Sequence, residues 1–115
     1  MRIGAAQIPV TTNVEDNLKN ILEACDWAVK NKLDYLLTPE CALSGYDTMS
    51  WNLNTCGPTE QAMEKLKEYS RDTGLGLAIG TLWIYDKDKQ GMGFGNGIHR
   101  NQLTFIQKGE IIGYV

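Results

Sequence analysis

The stretch "LDYLLTPECALSGY", residues 33–46, decides the fold. Tyr35 to Thr38 reads as a short buried strand, and Pro39 closes it by fixing φ and removing a backbone donor. A carboxylate, Glu40, follows directly at the strand exit. Upstream, "TTNVEDNLKNILEACDWAVKNK" repeats every three to four residues. Val14, Leu18, Ile21, Leu22, Cys25, Ala28 and Val29 share one helical face. Thr12 with Glu15 fits a capping box, and Lys30 and Lys32 suit the negative end of the helix dipole. Arg2 to Ile8, closed by Pro9, is the strand before that helix. Strand, helix and strand with tight connections make a right-handed βαβ unit with parallel pairing.

Downstream, a loop from Pro39 to Pro58 leads to a second helix from about Thr59 to Asp72. Pro58 suits its first turn, Ala62, Met63, Leu66 and Tyr69 form its apolar face, and Gly74 stops it. "LGLAIGTLWIY", Leu75 to Tyr85, is nearly continuous apolar sequence, as in a central strand covered on both sides. "QLTFIQKGEIIGYV" gives two strands about a turn at Lys108-Gly109. The expectation is an α/β fold of about five strands and two helices, in the order β-α-β-α-β-β. The glycine-rich "DKDKQGMGFGNG" reads as a flexible hairpin connection rather than a phosphate loop, because "IHRNQLTF" and not a helix comes next.

With 115 residues, 43% hydrophobic and 22% charged, the chain fits one globular domain over 1–115. Such a domain buries roughly two-thirds of its unfolded surface. The net charge of −3 and the absence of a basic block argue against a nucleic-acid partner. The N-terminal apolar stretch is too short for a membrane span or a signal peptide. Three cysteines, Cys25, Cys41 and Cys56, without CxxC spacing suggest neither a disulfide framework nor a zinc site, and a cytoplasmic location is expected.

Glu40 lies where ligands collect in such sheets, outside the carboxyl ends of parallel strands. There a carboxylate can act as a general base, given partial burial. From spacing alone, a solvated loop acid is the ordinary reading.

The segment from Ile3 to Tyr46 resembles the opening of the nitrilase superfamily, the carbon–nitrogen hydrolases. The matching pieces are an A-x-Q strand (Ala5, Ala6, Gln7), the helix start at Asn13, Asn17 and Leu18, and "PE" followed by "L-S-G-Y". Weaker similarity continues through "GLAIGT" and "GEIIGYV" to Val115. The resemblance implies that the chain is part of a four-layer α-β-β-α sandwich. It also implies hydrolysis of nonpeptide C–N bonds in small amides, nitriles or carbamoyl compounds by a Glu-Lys-Cys triad, without metal or cofactor, in a homo-oligomer. Glu40 matches the triad glutamate and Tyr46 an aromatic near the pocket. The lysine and the cysteine of the triad belong beyond "GEIIGYV", and no residue of the 115 matches either. The resemblance therefore implies an incomplete domain that is inactive alone.

Other residues have plainer readings. Cys41 adjoins Glu40, but neighbouring side chains diverge past a strand end, so a small buried thiol is expected. Cys25 belongs to the core and Cys56 to the loop. Lys108 is a solvated turn lysine, and His99 has no partner at a telling spacing. Trp27, Trp51 and Trp83 are expected in the core or an interface. Two readings follow: the N-terminal portion of a hydrolase, or a non-catalytic short α/β module that binds small molecules or associates. An unrelated ligand-binding α/β domain is a third. Two helices cover only one face of such a sheet, so association with another copy or further residues is expected.

Overall fold

The computed structural model describes residues 1–46, 56–91 and 95–115, and describes side chains except between 84 and 99. The elements run β1 (Ile3–Ala5), α1 (Val14–Lys30), β2 (Tyr35–Leu37), α2 (Cys56–Thr73), β3 (Gly76–Gly91), β4 (Gly95–Gln107) and β5 (Glu110–Tyr114). They form one sheet in the order β1-β2-β3-β4-β5. β1, β2 and β3 pair in parallel, and β3, β4 and β5 pair antiparallel. The strands number five, as expected from the sequence, so the order is β-α-β-α-β-β-β rather than β-α-β-α-β-β.

The helices form where the apolar period requires, but their starts differ from expectation. The N-cap of α1 is Asn13, whose side chain accepts from Asp16 N at 2.9 Å, rather than Thr12 in a box with Glu15. Thr11 Oγ1 in turn accepts from Asn13 N at 3.1 Å. Helix α2 begins at Cys56, so this buried thiol is helical and not in a loop. Pro58 still lies in the first turn, where a missing N–H breaks no helical bond. Strand β1 keeps only three residues of the expected Arg2–Ile8 run, since its ladder on β2 ends after Ala6 N donates to Leu37 O at 2.8 Å.

Strand β3 runs past Tyr85 into the polar "DKDKQ" segment, because pairing with β4 resumes at Gln90↔Asn96 beyond an irregularity. The two strands pair across this stretch as a hairpin does, but residues 86–91 and 95–97, expected as connection, belong to the strands. Residues 92–94, Trp51 and the His99 side chain lie outside what is described. The β4–β5 turn is at Lys108-Gly109, both with positive φ, and Arg71 of α2 donates from Nη2 to Gly109 O at 3.4 Å.

Alternation along the strands gives the sheet two unlike faces. Leu36, Leu77 and Ile106 are register partners, and with Ile79 they pack under Leu18, Ile21 and Cys25 of α1 and Ala62, Met63 and Leu66 of α2. The opposite face carries the row Ala5, Leu37, Ala78 and Phe105, with Ile3 at its margin. No described helix covers that side, and Ile3 is 66% exposed. Trp27, expected in the core or an interface, stands 56% exposed on α1, while Trp83 packs against the core.

Candidate active site

The turn after β2 carries Glu40, and it is fastened to β3 through Thr38, Leu43 and Ser44. Thr38 Oγ1 accepts from Gly80 N at 2.9 Å and donates to Ala78 O at 3.2 Å. Leu43 N donates to Gly80 O at 3.0 Å, and Ser44 Oγ accepts from Leu82 N at 2.8 Å. Within the turn, Gly45 N donates to Cys41 O at 2.8 Å. Thr38 and Ser44 are buried, so these bonds satisfy groups that water does not reach.

Two glycines make this closeness possible. A Cβ on Gly80 would strike Pro39 O and lie 3.1 Å from the Glu40 Cα, so only glycine lets the turn rest on β3. Gly45 has φ +82°, and a Cβ there would strike Thr11 O. From the other side, the fully buried Asn17 of α1 clamps the turn. Its Nδ2 donates to Leu43 O at 3.0 Å and to Thr11 O at 2.8 Å, while its Oδ1 accepts from Thr11 N at 2.8 Å. All its amide valences are used.

The Glu40 side chain projects from this fixed turn and is exposed. Its position comes from a hydrogen bond rather than from burial: Asn101 Nδ2, on β4, donates to Glu40 Oε1 at 2.6 Å. Cys41, at φ +52°, brings its buried thiol to the same amide, and its Sγ donates to Asn101 Oδ1 at 3.6 Å. Burial, reinforced by the Glu40 charge and partly offset by a hydrogen bond with Ser44, raises the Cys41 pKa and keeps it a thiol. Glu40 lines a cavity of about 290 Å³ together with Leu37, Thr38, Gly80, Asn101, Gln102, Leu103 and Val115. The cavity opens on the bare face of the sheet, shared between the Glu40 turn and the C-terminal hairpin.

The other sequence candidates sit elsewhere. Tyr46 ends the turn, 57% exposed, and is not among the described residues lining the cavity. Cys25 is fully buried in the core, where burial and then the Asp26 charge push its thiol up to about 12. No cysteine and no lysine lines the cavity among the described residues, and no three His, Cys, Asp or Glu side chains gather there to hold a metal. No described helix is long and apolar enough to cross a membrane. Asn101 and Gly80 were not singled out from the sequence. The one available signal for Asn101 is the polar pair Asn101-Gln102 just before the apolar Leu103 within β4.

This layer of helices on a mixed sheet, with an acid at the carboxyl edge of its parallel half, is an α/β fold of the nitrilase type. The chain belongs to the carbon-nitrogen hydrolase family, whose model matches residues 2–115. It is similar to a glutamine-dependent NAD(+) synthetase from Cytophaga hutchinsonii, with a TM-score of 0.73 and 25% identity over 99% of this chain and 18% of that one. It is also similar to an amidase from Nesterenkonia sp., with a TM-score of 0.75 and 20% identity over 99% of this chain and 41% of the other. A glutamine-dependent NAD+ synthetase from Acinetobacter baumannii matches with a TM-score of 0.71 and 20% identity, over 94% of this chain and 19% of its own. The chain thus spans less than half the length of each of these proteins. No curated protein matches the sequence.

Proposed function

We propose that this chain supplies the general base of a carbon–nitrogen hydrolase, Glu40, acting on a small amide, nitrile or carbamoyl compound. The observation that carries the reading is the Glu40 carboxylate, held by Asn101 at the mouth of a small cavity on the bare face. In this reading the glutamate takes the proton of a cysteine thiol as the sulfur attacks the carbonyl or nitrile carbon. A lysine stabilises the charge that develops, ammonia or an amine leaves, and water releases the acid from the thioester. The amidase of Nesterenkonia sp. supports it: variants of that protein with one glutamate replaced by glutamine or leucine carry ligands attached to an active-site cysteine.

Among the described residues, neither the cysteine nor the lysine of that chemistry has a counterpart in the cavity. Cys41 adjoins the base but its thiol faces Asn101, and Cys25 is sealed in the core. We therefore expect these 115 residues alone to release no ammonia from small amides above background. Turnover abolished by Glu40→Gln would overturn that expectation. The coding sequence after Val115 separates the two readings. A lysine within a few codons and a cysteine at the next strand exit support the hydrolase. A stop codon there supports a non-catalytic module.

The bare apolar face supports the proposal that the chain associates, and a stable monomer by light scattering would oppose it. The three cysteines are buried and form no disulfide, which supports a reducing cytoplasm as the proposed location.

A further inference from the structure

We propose that Asn101 is a positioning residue for Glu40, holding the carboxylate towards the cavity through Nδ2, while the Cys41 thiol fixes which end of the amide faces the acid. The inference rests on the reading of Glu40 as the base and assigns how that base is oriented.

Glu40 has three rotatable side-chain bonds and stands exposed, so a rigid turn alone fixes its Cα and leaves the carboxylate free to sweep. A base must instead meet its proton within hydrogen-bond reach and in one orientation. The 2.6 Å bond from Asn101 supplies that restraint. It is short, as a hydrogen bond to a carboxyl oxygen can be. Among the described residues it engages only Oε1, which leaves the other oxygen for a proton.

Asn101 can do this because of register. It pairs with Leu82 and shares its face of β4 with Leu103, whose partner is Gly80, the residue on which the Glu40 turn rests. Arg100 and Gln102 alternate to the other face. The amide is also oriented. With Oδ1 receiving the Cys41 thiol at 3.6 Å, Nδ2 is the end turned to the carboxylate. The flipped amide would set oxygen against oxygen at Glu40 and leave NH2 only a weak sulfur acceptor, losing the bond to the acid. This gives Cys41 a task that requires it to stay protonated, in keeping with its burial beside a negative charge. A carboxylate 61 residues away is thereby tied to the C-terminal hairpin.

The test uses the 115-residue chain labelled with 15N, followed by the side-chain amide signals of Asn101. The expected result is an Asn101 NH2 group as ordered as the strand backbone, with one proton resonance that moves as carboxylates protonate. Glu40→Gln should abolish that movement while the backbone spectrum is kept, which a merely structural asparagine would not do. Cys41→Ser, still a donor, should preserve the order of the amide, and Cys41→Ala should lower it. An Asn101 amide as mobile as that of a surface asparagine, or a pH response that survives Glu40→Gln, would overturn the proposal. An amide unaffected by Cys41→Ala would overturn the part assigned to the thiol. Ammonia release is a separate measurement, and its outcome bears on the hydrolase reading alone.

Discussion

The two faces of the sheet are built from similarly apolar residues, yet they differ in what they meet. On one, Leu36, Leu77, Ile79 and Ile106 are sealed beneath two helices. On the other, Leu37 and Ile3 are 39% and 66% exposed. The covered face holds the fold together. The bare face carries the cavity and the candidate base. Apolar pattern alone does not distinguish them, because alternation in a strand specifies that two faces exist and not what each will pack against.

Breaking the covered face should have the largest effect. Ile79→Ala is expected to cost about 2–5 kcal/mol, as for other buried aliphatic truncations, and denaturant unfolding would measure it. The turn between the faces comes next. Gly80→Ala forces a Cβ into Pro39 O and the Glu40 backbone, an overpacking worth about 1–3 kcal/mol. The same variant should weaken the Asn101 bond to Glu40, visible in the Asn101 amide signals. Asn17→Ala leaves Leu43 O and the Thr11 backbone without their partner, at about 1–3 kcal/mol by the same unfolding measurement.

A pH experiment probes the covered side differently. Cys25 has its pKa raised from 9.0 to about 12 in the folded chain. Its neutral thiol is favoured by folding, so its contribution is fully present below pH 9 and is lost as pH rises towards 12. The alkaline decline in stability over that window should be shallower in Cys25→Ala. A decline of unchanged slope would remove Cys25 as its source. The smallest effect belongs to the bare face. Ile3→Ser should change monomer stability by no more than about 0.5 kcal/mol. A larger loss, growing with protein concentration, would mean that this face is covered in solution.

The period of α1, the apolar run of β3 and the turn at Lys108-Gly109 were legible because each is written in neighbouring residues. Glu40 was legible as a candidate through "TPECALSGY" and the family resemblance. Asn101 was not, since its role depends on an antiparallel register set tens of residues away. Nor was the part played by Gly80, because nothing in "GLAIGT" says which turn lies against it. The polar "DKDKQ" reads as loop because its residues carry no strand preference, and only Gln90 of the five has a register partner on β4. The cap was misplaced by one residue because Thr11, Thr12 and Asn13 all have capping side chains, and only the network around Asn17 selects Asn13.

The β3–β4 ladder has a consequence for tolerance to insertions. Between Leu77 and Tyr85 its pairing is continuous, and the irregularity falls only beyond Tyr85. Extra or missing residues absorbed at that far end leave the inner phase untouched. Slippage by one residue nearer the sheet centre would present Arg100 or Gln102 to the acid instead, placing a cation or a longer amide where the chain now offers a short one. Length changes beyond Tyr85 are thus compatible with the site, provided that the register pairing Gly80 with Leu103 and Leu82 with Asn101 is kept.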